Sequence, residues 1–413
     1  MVRVPPRPLF DDAAEPAIVV GLISGTSADG VDAACCRLAR PDGAPLRWQL
    51  LATASIPYPE ALAARLRAPE RLTVPQLAGA HAEVGAVFAE AARAVADAAR
   101  ISLAGVDLIG SHGQTVWHDP RAEHDRAPVS LQIGEAAEIA ERTGRPVWYD
   151  FRPADVAAGG EGAPFVPYVD WLLFTDPSRW RACLNLGGIA NVTILRPGAR
   201  QEDVVAFDTG PGNMLLDLLA RRLLDAPRDE AGARARSGKV DRRRLEAALG
   251  DPYFAMAAPK STGRERFGEP FLRRHFEPLA DLSDEEVSDR FATAAALTVE
   301  SVARALEGSA GPPPLPADAE VVVAGGGRRN RALMAGLAER CAPRPFVAVE
   351  ERGLDGDFKE AAAFAILAYE SALGRCVNMP TVTGARHSAR CGKLAYPPPV
   401  DEISTPVEGS TDR

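Results

Sequence analysis

The sequence predicts an α/β fold built as two domains on one plan, and three observations predict it. Short apolar runs alternate with longer stretches of helical periodicity along the 413 residues, the pattern of sheets covered by helices. A hairpin with a polar, glycine-rich turn stands near the N-terminus, in "IVVGLISGTSADGVDAACCRL" (18–38). Its plan returns in "RACLNLGGIANVTILR" (181–196). A third glycine turn, in "VVVAGGGRRNRALMAGLAE" (321–339), leads from a strand into a helix instead.

The elements follow in order. Ile18 to Val20 and Val31 to Leu38 read as strands. Ser24, Gly25, Thr26, Ser27, Ala28, Asp29 and Gly30 lie between them, more polar than a hairpin needs. A plain type I′ turn at Asp29-Gly30 is the structural alternative. Alanine-rich helical periodicity runs from about 73 to 100. "VDLIGSHGQTVW" (106–117) reads as a strand ending at a glycine and a polar turn. "VSLQIG" (129–134) leads into a helix over 135–144, stopped by Gly144 and Pro146. "VWYDF" (147–151) is a strand that opens a long glycine-rich connection over 152–174. The second hairpin turns at Gly187 and Gly188. "VVAF" (204–207) is a strand running up to Asp208 and the turn "TGPGN". The proline run near 310–316 is a stiff loop, and Asn330 caps the helix that follows Gly325, Gly326 and Gly327. The expected division is a first domain over 16–178 and a second over 179–398, with loose tails at 1–15 and 399–413.

Composition excludes several functions. A net charge of −9 argues against nucleic-acid binding, which needs clustered cations. No apolar stretch approaches the roughly 20 residues of a membrane span, and the N-terminus lacks a signal-peptide core. Six cysteines scattered without a CxxC pair predict reduced thiols and a cytoplasmic location. The even spacing of His112, His118 and His124 does not bring three rings to one point on a helix or a strand, so zinc is not expected.

Each glycine turn alone reads equally well as a tight turn. Together they gain meaning. Two hairpin turns can hold a polyphosphate with backbone N–H groups, and a glycine-rich strand-to-helix turn admits a flat base. The triple glycine lacks both the P-loop ending and the dinucleotide spacing. Two phosphate turns and a nucleoside platform, in that order, describe the actin-like ATPase plan.

The chain resembles the anhydro-N-acetylmuramic acid kinase family, within the sugar-kinase, Hsp70 and actin superfamily. The resemblance rests on "GLISGTSADGVD" (21–32), "GSHGQTVWHDP" (110–120), "DFRPADVAAGGEGAPFVP" (150–167), "LNLGGIANVT" (184–193), "FDTGPGNMLLD" (207–217), "PKSTGRERF" (259–267), "AGGGRRN" (324–330) and "DGDFKEAAAFA" (355–365). Ala28, Pro153, Ala154 and Glu161 depart from the family pattern.

The resemblance implies a two-domain actin-like ATPase fold with duplicated mixed sheets and an interdomain cleft. It implies an enzyme that uses ATP, Mg²⁺ and water to open 1,6-anhydro-N-acetylmuramic acid and phosphorylate O6, in cell-wall recycling. By the same resemblance, Asp208 is the general base and Glu360 assists at the sugar or water. Residues Gly25, Thr26, Ser27, Ala28, Asp29, Gly30, Val31 and Asp32 face the ATP phosphates, with Asp29 ordering Mg²⁺. Asn185, Gly187 and Gly188 serve the second phosphate turn, and Gly325, Gly326, Gly327 and Asn330 the adenosine. His112, Gln114, Thr115, Arg152 and Asp155 are the expected sugar contacts. For Arg152 a surface ion pair with Asp150 or Asp155 is the plain alternative, and Asp155 competes with Asp208 for the base. Expected partners are the sugar and ATP, with a homodimer also implied, and no nucleic acid or membrane. The alternatives are another small-molecule kinase of the superfamily, or a non-catalytic nucleotide switch.

Overall fold

The computed structural model describes residues 10, 13–121 and 127–398, so most of both expected tails and His124 lie outside the described residues. The chain forms two compact units. The first holds the described residues up to Phe165, with 360–378 and those from Ala385 on; the second holds 166–359 and 379–384.

The first unit carries β1 (Ala17–Ser24), β2 (Gly30–Ala39), β3 (Arg47–Pro57), β4 (Leu108–Asp119), β5 (Val129–Ile133) and β6 (Val147–Tyr149). Its sheet runs β3-β2-β1-β4-β6, and β5 pairs with the far end of β4. The neighbours β1–β2 and β2–β3 are antiparallel, whereas β1–β4 and β4–β6 are parallel. Central β1 is buried along nearly its whole length, which its unbroken apolar run requires. The helix Val74–Ala98 starts at Thr73, whose N–H donates to Gln76 Oε1 at 2.9 Å. Its Phe88 and Val95 pack with Val20, Leu22, Val31 and Ile109 into one core.

The second unit repeats that plan. Strands β7 (Arg181–Leu186), β8 (Ile189–Leu195), β9 (Val205–Pro211), β10 (Glu320–Ala324) and β11 (Phe346–Ala348) run in the order β9-β8-β7-β10-β11. The senses match strand for strand: β7–β8 and β8–β9 antiparallel, β7–β10 and β10–β11 parallel. The duplication is one of topology. The core joins Leu184, Val192, Phe207 and Val321 of the sheet to Leu219, Phe267, Phe291 and Leu297. The helix Asp284–Leu306 begins with a reciprocal cap between Ser283 and Glu286.

The chain then returns to the first unit, which differs from the linear division at 179–398. Residues 360–378 belong there, and β12 (Lys393–Ala395) pairs antiparallel with β6. The reason lies in two glycines. Gly21 of β1 and Gly110 of β4 are register partners. A Cβ at Gly21 would stand 1.9 Å from Ala361 O, and one at Gly110 would stand 2.3 Å from Phe364 O. Without side chains there, the helix Lys359–Ala372 lies directly on the sheet.

Three local expectations are corrected. "SHGQT" is not a turn but the interior of β4, where Gly113 takes φ +77° and the ladder to β1 is irregular. The glycine-rich connection holds two helices, Arg152–Ala157 and Val166–Phe174. Asp208 sits inside β9, which continues through Thr209 and Gly210 to Pro211.

Candidate active site

The first hairpin turn is Gly25–Ala28, closed by the Ala28 N–H on the Gly25 carbonyl at 3.2 Å, with Ala28 buried at φ +50°. Neither Asp29 nor Gly30 has a positive φ, so the type I′ alternative is wrong. Gly30, Val31 and Asp32 belong to β2, and a Cβ at Gly30 would stand 2.5 Å from Ile56 O. At Gly25 a Cβ would meet nothing nearer than Ser27 Oγ at 3.9 Å, so the protein itself does not demand a glycine there. Gly25, Thr26, Ser27 and Asp29 are exposed, and Ser27 Oγ donates to Asp29 Oδ1 at 2.9 Å. The N–H groups of Thr26 and Ser27 meet no acceptor among the described residues. Two bare amides beside two hydroxyls make an anion-binding concavity with one carboxylate at its rim.

Gln114 is buried beneath this turn. It accepts from Ser24 Oγ at 2.6 Å and donates to the Gly25 carbonyl at 3.2 Å. Gln114 thus holds the turn from below. Thr115 accepts from Gln132 Nε2 at 3.2 Å.

A second cluster of this unit surrounds Arg152. Its Nε–H donates to His112 Nε2 at 3.0 Å and a terminal N–H to the Gly162 carbonyl at 2.7 Å. His112 is buried, with Nδ1 on the Gly113 carbonyl at 2.9 Å and its ring 4.5 Å from that of Phe364. Burial, then the Arg152 charge, hold the imidazole well below its ordinary pKa. Burial also lowers Arg152 to about 10, against the opposing charges of Glu360 and Asp155. Glu360 is exposed in the first turn of its helix. Asp150, offered as a surface partner for Arg152, pairs instead with Lys393 at 2.5 Å.

Asp155 is fully buried. It accepts from the Gly162 N–H at 2.8 Å and from Asn378 Nδ2 at 2.7 Å, and a Cβ at Gly160 would strike it. Its carboxylate shapes the loop around Gly160. The departures from the pattern have structural places: Glu161 pairs with Arg121, and Pro153 lines a cavity of about 420 Å³ with Val129, Val156 and Arg386.

In the second unit, Asp208 Oδ2 accepts the Thr262 N–H at 2.9 Å. Its own N–H donates to the Lys260 carbonyl at 3.1 Å, and its carbonyl accepts from Tyr253 Oη at 2.8 Å. Lys260 is buried, donates to the Tyr253 carbonyl at 3.1 Å and lies 4.6 Å from the Tyr253 ring centre. Burial lowers the Lys260 pKa while the Asp208 charge opposes the shift. The Asp208 carboxylate thus accepts from a backbone amide and lies within the field of the Lys260 ammonium.

The turn at Gly187-Gly188 is tied to the start of the helix Met214–Leu223. The N–H groups of Gly212 and Met214 donate to Gly188 O, and that of Asn213 to Gly187 O, at 2.8 to 3.1 Å. Asn185, at the end of β7, lies beside Gly325: a Cβ there would fall 2.6 Å from its Oδ1. Gly325 also takes φ +81°, and a Cβ at Gly327 would clash with Leu186. At Gly326 nothing lies within 4 Å. The three glycines therefore divide: two serve packing, and the middle one leaves open space. Asn330 caps the helix Arg331–Arg340 by accepting from Ala332 and Leu333 N–H. Gly326 and Asn330 line a cavity of about 190 Å³ with Asn213, Asp217 and Arg329.

Among the described residues, no group of three or more His, Cys, Asp or Glu is placed to hold a metal ion, and no helix is long and apolar enough to cross a membrane. Residues 17–397 match the sequence model of the anhydro-N-acetylmuramic acid kinase family. The chain belongs to that family. A protein of that name from Gloeobacter violaceus is 45% identical over 383 residues, spanning 92% of this chain and 99% of its own. Relatives of the same name from Salinibacter ruber and Caldanaerobacter subterraneus are 42% and 40% identical, each over 92% of this chain and over 96% and 97% of their own.

For this member of the kinase family, sequence reasoning missed the residues that hold the expected ones in place. Lys260, Thr262 and Tyr253 surround Asp208, Phe364 backs His112, and Asn378 holds Asp155. "PKSTGRERF" was visible as a motif; its meeting with Asp208 is a long-range contact that spacing does not reveal.

Proposed function

We propose that this member of the family uses ATP to open and phosphorylate 1,6-anhydro-N-acetylmuramic acid. Water adds at C1, the C1–O6 bond breaks, and O6 takes the γ-phosphoryl group. N-acetylmuramic acid 6-phosphate and ADP leave. The observation that carries the reading is the family match across residues 17–397. Cell-wall recycling in the cytoplasm is the setting that suits this chemistry, and the six free cysteines accord with it.

Asp208 takes the proton of the attacking water. A carboxylate is a suitable general base, and the Thr262 N–H orients it through Oδ2. Glu360 orients the sugar or the water. Arg152, held by His112 and Gly162, offers its remaining N–H donors to the lactyl carboxylate. Gln114 and Asp155 act as positioning residues, one under the phosphate turn and one under the glycine loop.

The amides of Thr26 and Ser27 and the hydroxyls beside them suit ATP phosphates, as does the turn at Gly187-Gly188. The open space over Gly326 suits the adenosine. Asp29 would hold Mg²⁺ through its water shell, and the ion would spread phosphoryl charge.

The test is ADP release with the anhydro sugar, N-acetylmuramate, N-acetylglucosamine or acetate, each with and without Mg²⁺. The reading requires turnover with the anhydro sugar and Mg²⁺ together. Equal turnover with N-acetylmuramate would remove the ring-opening step.

A further inference from the structure

The helix Arg152–Ala157 divides its side chains between two tasks. Arg152 bonds to His112 and Gly162, and Asp155 to Gly162 and Asn378, so both are engaged inside the first unit. Pro153, Val156 and Ala157 stand at i, i+3 and i+4, on one stripe of the helix. These three line the cavity of about 420 Å³, together with Pro128 and the exposed Val129 at the start of β5. Small-molecule sites span roughly 300 to 1,000 Å³ and are mostly apolar, with a few placed polar groups. This cavity has that size and those walls.

Arg386 supplies the polar group. Its backbone N–H donates to Ala158 O at 2.9 Å, and a terminal side-chain N–H donates to Ala157 O at 3.2 Å. The guanidinium lies over Gly159, where a Cβ would stand 2.4 Å from Nη1. Gly159 also takes φ +84°, so the chain makes room here for an arginine. Arg386 is exposed and pairs with no carboxylate among the described residues, which leaves most of its fork of donors free. Ser130, also in the lining, is engaged: its Oγ accepts from Gln132 Nε2 and bonds to His118 Nδ1, both at 2.9 Å.

A ligand that answers both features carries one negative charge at one end and an apolar body at the other. A planar carboxylate matches the guanidinium fork. Arg386 is the one cation among the described lining residues, which suits a single charge better than the near-double charge of a phosphate monoester. We propose that this cavity is a further ligand site of the chain, for a small monocarboxylate with a compact apolar body held by Arg386. Every residue in it belongs to the first unit, and it does not depend on the nucleotide or sugar placement given above.

Cyclohexanecarboxylate is the probe, titrated into the full chain by NMR beside cyclohexanecarboxamide and acetate. The amide keeps the shape without the charge, and acetate keeps the charge without the ring. The acid should bind at least about 10-fold more tightly than either, because a charge-assisted bond and a buried ring each contribute that much. Its ring protons should give cross-peaks to the Val129 and Val156 methyls of the wild type, a readout that needs no variant. Arg386→Gln keeps a donor for Ala157 O and should bring acid and amide within about twofold of each other. No binding of the acid up to about 20 mM overturns the proposal. So do equal affinities of acid and amide for the wild type, or cross-peaks only to methyls elsewhere. Full preference retained in a folded Arg386→Gln overturns it too, and assigns the carboxylate to another cation such as Arg152.

Discussion

Arg152 donates its Nε–H to His112 Nε2 at 3.0 Å, while His112 Nδ1 faces the Gly113 carbonyl at 2.9 Å. These bonds define a neutral imidazole protonated on Nδ1, since a protonated Nε2 cannot accept from a guanidinium.

That state has a stability consequence. His112 is held below its ordinary value of 6.5 by burial first and Arg152 second. A lowered folded pKa contributes stability that is present above 6.5 and lost as pH falls. His118 and His275 shift in the same direction. Urea midpoints should therefore fall between pH 7 and pH 5, and His112→Asn should flatten part of that slope. An unchanged slope in the variant would show that His112 titrates normally.

Gly21 and Gly326 should respond oppositely to alanine. At Gly21 the new Cβ meets Ala361 backbone at 1.9 Å, so the helix must move, costing roughly 3 kcal/mol or more. At Gly326 the new Cβ meets nothing. Gly326→Ala should melt like the wild type but lose ADP affinity by about 10-fold, because the methyl occupies the ligand's side. Thermal melts and calorimetry on the two variants separate these outcomes.

Asp208→Asn keeps shape and removes the base that the proposed reaction assigns to this position. Turnover should drop by about 10² to 10⁴ while the protein stays folded and binds ADP. Lys260→Met removes the neighbouring ammonium, which favours the ionised carboxylate. The acidic limb of the rate–pH profile should move to higher pH in that variant. A profile that does not move would confine Lys260 to packing against Tyr253.

Arg152→Lys replaces a directed fork with a point charge. The KM for the anhydro sugar should rise about 10-fold or more, with the KM for ATP nearly unchanged. Glu360→Gln should lower kcat without altering the melting temperature, since Glu360 is exposed. Unchanged kinetics would return Glu360 to stabilising the helix start.

The strands, the two hairpins and the glycine turns were legible because each is written locally, in apolar runs and turn residues. Asn330 as a cap was legible for the same reason. The roles of Gln114 and Asp155 were not. Both carry ligand-friendly side chains, yet their bonds to Gly25, Gly162 and Asn378 place them beneath the loops. Glycine looked alike everywhere in the sequence, and only the space around each Cα told Gly326 from Gly325 and Gly327.

The sequence by itself determined that two α/β halves share one plan, which family the motifs belong to, and which turns bear glycines and carboxylates. Those properties depend on residue type and spacing along the chain. Tertiary structure alone decided that the helix from Lys359 returns to the first sheet, because the decision lies in two glycines, Gly21 and Gly110, that only strand pairing brings side by side. It also decided that Lys260 and Thr262 meet Asp208, and that Asp217 lines a cavity where its carboxylate accepts no hydrogen bond among the described residues. Burial and hydrogen-bond completion are set by neighbours distant in the chain, and no local pattern encodes which polar group will be left with an acceptor to spare.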